Sequence, residues 1–324
     1  MTAPPKVLYF VGKGRSGTTL LDNVLGQLDG FVSTGEITKL WTWGFDQRWR
    51  CGCGRSIPEC PFWQAVINVG FAQRPDIAQL VALQERVLSW WKVPRLLAHG
   101  RGYGGRWEDL ERFAAVTGRV YEAIAEVSGA RVIVDSSKWP ASPTALGLVP
   151  GVQTFLLHLV RDPRAVVHSW RRRKVWTDRE VEAEMPRYSA PYSMASYAAR
   201  NAVAEALVAR RGVRALRLRY EDLAADPAAA LRRVLALVDE PMPEGLFADG
   251  PVVRLAPTHT AGGNPNRLAT GVITIRPDER WRLEQSRRDR LIATVAGAPF
   301  LWRYGYPLRP GRDGHALLPP GGGA

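Results

Sequence analysis

The chain has 324 residues, 46% of them hydrophobic, which suffices for one large core or two modest ones and argues against a disordered or fibrous protein. No apolar run reaches membrane-spanning length, and MTAPPKVLYFVG at the start has one lysine before a short apolar stretch. That stretch reads as a buried strand rather than a secretion signal, so a cytoplasmic protein with no stable membrane anchor is expected. Net charge is +13, and with only six lysines 38 of the 44 basic residues are arginine. Arginine suits planar, bidentate grips on phosphate or sulfate. A coding bias would raise the same residue, and a basic surface also attracts nucleic acid or anionic membrane.

In chain order, Lys6–Val11 is a continuous apolar strand. Thr18–Leu28 is a helix, with Leu21, Val24, Leu25 and Leu28 at helical spacing and Gly30 as its C-terminal cap. Phe31–Ser33 is a short candidate strand, and Trp41–Trp63 is irregular and rich in Trp, Gly and Cys. Two long helices follow, one carrying Leu80, Leu83, Val87 and Trp90, the other Leu110, Phe113, Thr117, Tyr121 and Ile124. Strands are predicted at Arg131–Asp135, Thr154–Val160 and Val213–Tyr220. Asp162-Pro163 and Asp226-Pro227 each open a helix, Asp as N-cap and Pro in the first turn. The tail from about Pro307, rich in Gly and Pro, reads as disordered. Alternating strands and helices predict an α/β fold, a mainly parallel sheet covered on both faces, within a single domain over residues 1–306. Residues from about 40 to 130 form an insertion able to cap one side of the site.

The most informative stretch is GKGRSGTT at Gly12–Thr19, directly after a strand and before a helix. Glycines there let the backbone approach an anion, and the helix N-terminus adds free N–H groups and a favourable dipole. Gly12 and Gly17 have nucleotide-loop spacing, but Thr18 stands where an NTP-binding loop carries lysine, and the reaching cation comes earlier, at Arg15. That argues against a terminal-phosphate substrate. A sulfuryl group carries less charge, and its in-line transfer needs positioning and hydrogen bonds more than a metal.

A second basic site lies in FLLHLVRDPRAVVHSWRRRKV at Phe155–Val175. Arg161 is at the strand exit, Ser169 two turns into the next helix and Arg173 one turn further, a set fit for a dianion. The strand's C-terminal edge is where open α/β folds bind ligands.

These residues resemble those of the PAPS-dependent sulfotransferases (PAPS is 3′-phosphoadenosine 5′-phosphosulfate), most of all the tyrosylprotein sulfotransferases and their bacterial relatives. RSGTTL at Arg15–Leu20 is similar to the family's 5′-phosphosulfate loop, and VRDPRAVVHS at Val160–Ser169 to its 3′-phosphate motif. The resemblance implies Arg15, Ser16, Gly17, Thr18, Thr19, Arg161, Ser169 and Arg173 as nucleotide contacts, and Glu36, 21 residues after Arg15, as catalytic base. It implies Lys138 beside the leaving-group bridge, Tyr220 of RYEDL as a further contact, and Asn264, Arg267 and Arg276 in a late segment closing over the nucleotide. PAPS is then the co-substrate and no metal is required; the acceptor hydroxyl stays open between a natural-product phenol, a sugar, a lipid and a peptide tyrosine, the Trp-rich insert leaning toward a small or lipid-like molecule. No nucleic-acid partner is expected, and the sequence leaves the oligomeric state open.

Asp135, at the end of the next strand, is the rival base. Cys51, Cys53 and Cys60 offer three metal ligands, but a structural zinc site wants four and the next histidine along the chain is His99. A local disulfide or free thiols is the preferred reading. Trp41, Trp43, Trp49, Phe62 and Trp63 either line an acceptor pocket or fill a loop-rich core. The rival functions are a small-molecule kinase using ATP and Mg²⁺, or a nucleotide- or nucleic-acid-binding protein without chemistry.

Overall fold

A computed structural model describes residues 4–103, 105–139, 142–149, 151–179 and 183–309. Most of the tail read as disordered, from residue 310, lies outside the described residues. At the centre is a parallel sheet of five strands. Four are β1 (Lys6–Val11), β2 (Phe31–Gly35), β3 (Val132–Asp135) and β4 (Gln153–Val160). The spatial order is β2-β3-β1-β4, followed by the strand Arg214–Arg219 at the far edge.

Both faces of β1 are buried, which is why it reads as an unbroken apolar run. Val7, Tyr9 and Val11 belong to one core, with Val120, Tyr121 and Ile124 of helix Glu108–Ser128 and Ala204 and Leu207 of helix Ala190–Val208. Leu8 and Phe10 belong to the other, with Leu21, Val24 and Leu25 of helix α1 (Thr18–Leu25) and Leu231, Val234 and Leu235 of helix Pro227–Leu237. Each such side chain contributes about 1.5–3 kcal/mol by leaving water, so the loops above stand on a stiff base. The chain runs outward from β1 to β2, returns to β3, and then crosses β1 to reach β4. The sheet's switch point therefore lies between the C-terminal ends of β1 and β4, where an α/β sheet opens its ligand crevice.

Several boundaries differ from those expected. Helix α1 stops at Leu25, where the Gly26 N–H donates to the Asp22 carbonyl. Leu28 keeps its helical spacing and is buried, but in the turn that follows. The strand expected to reach Tyr220 ends at Arg219, and Tyr220 opens helix Tyr220–Ala225. The longest helices not read from the sequence are Pro61–Gly70, Ala190–Val208 and Arg287–Arg303. Within the insertion, Glu108–Ser128 is a structural layer of the core. Trp90 falls outside the helix Ile77–Val87, in a single 3₁₀ turn.

A late segment returns to the sheet. Ala261 pairs in parallel with Gly35, the Ala261 N–H donating to the Thr34 carbonyl (2.7 Å) and the Glu36 N–H to the Ala261 carbonyl (2.8 Å). Among the described residues no helix is long and apolar enough to cross a membrane.

Candidate active site

The loop after β1 turns sharply into α1. Gly17 has φ +88, and a Cβ there would come within 2.4 Å of the Tyr220 ring, so only glycine fits between loop and ring. Among the described residues no side chain caps α1 and its first turn holds no acid, leaving an N-terminus suited to an anion. Ser16 Oγ donates to the Lys13 carbonyl (2.8 Å), so Ser16 shapes the loop. Thr18 is buried and Thr19 half-buried at the helix start.

Arg15 takes φ 74, a left-handed backbone that costs a side-chain-bearing residue about 1 kcal/mol or more. Its guanidinium lies over the Trp170 ring (4.6 Å), and Nη2 points at Met185 Sδ (3.4 Å). Arg15 Nε and Nη1 are buried with no hydrogen-bond partner among the described residues, and so is Arg161 Nε. A buried cationic donor without an acceptor is costly, and these two side chains fit a dianionic nucleotide. Arg161 Nη1 donates to the Arg15 carbonyl (3.2 Å), Nη2 donates to the Asp278 carbonyl (3.0 Å), and the guanidinium lies over the Tyr220 ring (4.3 Å). The ring is therefore held between Gly17 and Arg161, joining the two basic sites. Its hydroxyl donates to the Arg276 carbonyl (3.3 Å) and accepts from the Asp278 N–H (3.2 Å).

Ser169 is buried in helix Pro163–Arg171, whose N-cap Asp162 accepts from the Arg164 N–H as expected. That helix ends before Arg173, which lies in the following extended segment, exposed and paired with Glu184 (3.5 Å). Asn264 Oδ1 caps a short turn by accepting from the Asn266 N–H (3.2 Å). Arg267 is buried against Asp178 (2.9 Å), the Thr260 carbonyl (2.9 Å) and the Arg50 carbonyl, holding loops together. Arg276 is exposed and meets Tyr220 through its backbone carbonyl.

The ends of β2 and β3 bring Glu36 and Lys138 together, with Lys138 Nζ donating to Glu36 Oε1 (2.8 Å). Lys138 has φ 58, a second left-handed residue at the site. The fields of Arg15, Lys39 and Arg200 also reach Glu36. Two buried acids position this pair. Asp22 accepts from Ser33 Oγ (2.6 Å) and Ser136 Oγ (2.7 Å), tying α1 to both strand ends. Asp135 accepts from Tyr121 Oη (2.5 Å), the Ser137 N–H (2.8 Å) and Ser137 Oγ, and Ser137 Oγ accepts from the Thr38 N–H (3.0 Å). Burial pushes both acids up to about 6 against these hydrogen bonds. Asp135 is thus committed to the scaffold, whereas Glu36 stands at the surface of the site.

Sequence reasoning missed part of the cationic set. Lys13 is buried, donates to Ser196 Oγ (2.8 Å) and lies over Trp170 (4.8 Å). Burial, with Arg200 and Arg15 adding, lowers its pKa to about 7. Lys174 falls to about 8 through burial, Arg15 and Arg172. Arg200 donates to the Lys138 carbonyl (3.3 Å) and lies over Trp139 (5.5 Å). The lysine inside GKGRSGTT was a usable signal for Lys13; Arg200, mid-helix and remote in sequence, gave none. Of the insertion's aromatics, Trp41, Trp49 and Trp63 are buried and fill the core.

The sulfotransferase family model matches residues 8–244. Among solved structures, the sulfotransferase domain from the curacin biosynthetic pathway aligns at 16% identity, covering 95% of this chain and 100% of that one, with a TM-score of 0.52. The sulfotransferase domain of the Synechococcus PCC 7002 olefin synthase aligns at 17% identity over 93% and 96%, TM-score 0.48. Sulfotransferase STF9 from Mycobacterium avium aligns at 14% over 94% and 78%, TM-score 0.46. A comparison with curated proteins returns no match.

Proposed function

The chain belongs to the sulfotransferase family, and from that premise we propose that it moves a sulfuryl group from PAPS to the hydroxyl of a small or lipid-like acceptor. The observation that carries this reading is the set of buried guanidinium donors left without an acceptor, Arg15 Nε and Nη1 in the loop after β1 and Arg161 Nε at the end of β4, the last over the Tyr220 ring. Arg15 and the first-turn N–H groups of α1 hold the 5′-phosphosulfate. Arg161 and Ser169 hold the 3′-phosphate, with Arg173 closing from the extended segment. PAPS supplies an activated sulfuryl group on a phosphate leaving group.

Glu36 takes the proton of the acceptor hydroxyl as its oxygen bonds to sulfur. Lys138 faces the bridging oxygen, and its charge stabilises the negative charge that builds there as the sulfur–oxygen bond breaks and 3′,5′-ADP departs. Each of these contributions is worth about 10²–10³-fold in rate. A kinase reading is disfavoured because Thr18 stands where an NTP-binding loop carries the lysine that reaches the β- and γ-phosphates. Thermal melts separate the readings. At a hundredfold excess over its dissociation constant, 3′,5′-ADP should add about 2.7 kcal/mol of stability. A shift with ATP–Mg²⁺ or an oligonucleotide and none with 3′,5′-ADP would overturn the proposal.

Lys13 gives the site a pH dependence. Its free-state pKa is near 7, and a bound dianion favours its protonated form, so binding raises that pKa and takes up a proton above pH 7. Affinity for 3′,5′-ADP is expected to fall as pH rises from about 7 toward 9, by at most about tenfold per unit. Calorimetry at about pH 8 in two buffers of different ionisation enthalpy checks this, with Lys13→Met as control. Equal heats in both buffers would remove Lys13 from the nucleotide site.

A further inference from the structure

The sequence offers Cys51, Cys53 and Cys60 as three soft ligands and shows no histidine near them. The fold supplies one from 199 residues away: His259 Nδ1 lies 3.4 Å from Cys60 Sγ and 3.7 Å from Cys51 Sγ. Cys53 Sγ is 3.7 Å from Cys60 Sγ, and the four donor atoms all lie within 4.8 Å of one another. Of the two preferred readings, a local disulfide or free thiols, the cysteines take the second, and the missing fourth donor is present. A tetrahedral zinc with Zn–S of about 2.3 Å and Zn–N of about 2.0 Å has edges of roughly 3.5–3.8 Å, and the separations of 3.4, 3.7 and 3.7 Å here lie within about 0.1 Å of that range.

We propose that Cys51, Cys53, Cys60 and His259 form a structural zinc site. Four protein donors complete a tetrahedron and leave no position for substrate, the arrangement of structural rather than catalytic zinc. Three thiolates and an imidazole select a soft divalent metal over Mg²⁺ or Ca²⁺.

The surroundings are built around this cluster. Cys51 and Cys60 are fully buried, and Cys53 is half-buried. The His259 ring stacks on Phe62 (4.7 Å, 9° between planes), and Trp63 Nε1 donates to the His259 carbonyl (3.0 Å), fixing the imidazole from behind. A Cβ on Gly52 would sit 2.6 Å from the Thr258 carbonyl oxygen, so glycine between the two cysteines lets the loop lie against the segment that carries the histidine. The Gly52 N–H donates to the Thr260 carbonyl (3.1 Å).

The site joins the Trp-rich loop to the segment that reaches the sheet. Ala261, two residues past His259, accepts from the Glu36 N–H. Zinc there clamps that segment against the end of β2, which lies 226 positions earlier in sequence, directly beside Glu36. This is a positioning role, independent of whether PAPS is the donor.

The test uses the full chain, expressed with zinc and purified without chelator. Elemental analysis is expected to find about one zinc per chain, and cobalt(II) exchanged into the same protein should give the intense visible absorption of a tetrahedral thiolate site. A thiol-reactive mercurial should release the zinc in proportion to thiols modified. Cys53→Ser and His259→Ala should each lose the metal, and because Cys53 is the least buried of the cysteines its variant keeps the test valid if His259→Ala fails to fold. Removal of the metal from the wild-type chain by a strong chelator should lower the melting temperature, and zinc, but not Mg²⁺, should restore it. Metal-free protein from zinc-replete cells that melts unchanged with added zinc would overturn the proposal. So would a disulfide among these cysteines found by peptide mapping of the unreduced chain.

Discussion

Glu36→Gln is expected to lower kcat by about 10²–10³-fold while leaving 3′,5′-ADP affinity within about threefold. The amide keeps the shape of the side chain and can still accept from Lys138, now 2.8 Å from the carboxylate, but it cannot take a proton from the acceptor. The backbone N–H of Glu36 is bonded to the Ala261 carbonyl and is untouched by the change, so the fold around it survives. A base produces a loss in kcat without a matching loss in nucleotide binding; a merely structural acid would weaken both. Near-normal turnover in this variant would sink the assignment. Asp135→Asn is the instructive comparison, since its three hydrogen bonds within the scaffold make loss of stability the expected result.

Arg161→Ala should weaken 3′,5′-ADP binding by about 10²–10³-fold, the consequence of removing a buried charged donor from a charged partner. Arg173→Ala is expected to cost no more than about tenfold, because Arg173 is exposed and its pair with Glu184 is a surface pair. Arg161→Lys keeps the charge but loses the planar grip and the contact over Tyr220, so partial recovery is expected. Titration calorimetry on the three variants, with melting curves to confirm folding, measures the order. Equal losses for Arg161→Ala and Arg173→Ala would mean that the extended segment after Arg171 closes fully on the nucleotide.

Features set by local chemistry were legible before the fold. β1 and the two Asp-Pro helix starts came out as read, because a buried strand and an N-cap are decided within a few residues. The placement of Gly12–Thr19 was readable for the same reason. Arg173 was not, since helical spacing was extended past Arg171 where the backbone turns extended at Arg172. The end of α1 was misjudged because Leu28 is buried by packing rather than by the helix. Asn264 and Arg267, assigned to the nucleotide by resemblance, are occupied in a turn and in a buried ion pair with Asp178. His259 was invisible because nothing near Cys60 announces a partner 199 residues on. Asp22 was unread because an acid facing inward from an apolar helix is recognisable only once Ser33 and Ser136 are seen around it.

The pairing of Ala261 with Gly35 has a consequence for how the protein is made. β2 is an edge strand, and its outer side is covered by a residue synthesised 226 positions later. A nascent chain that has emerged only through residue 244, the end of the family-matched stretch, carries Arg15, Glu36, Lys138 and Arg161, yet has that edge bare. Unpaired strand edges invite association with other chains, and contacts of such long range form late. The ribosome thus finishes the sheet near the end of translation, and only then does the backbone at Glu36 gain its partner.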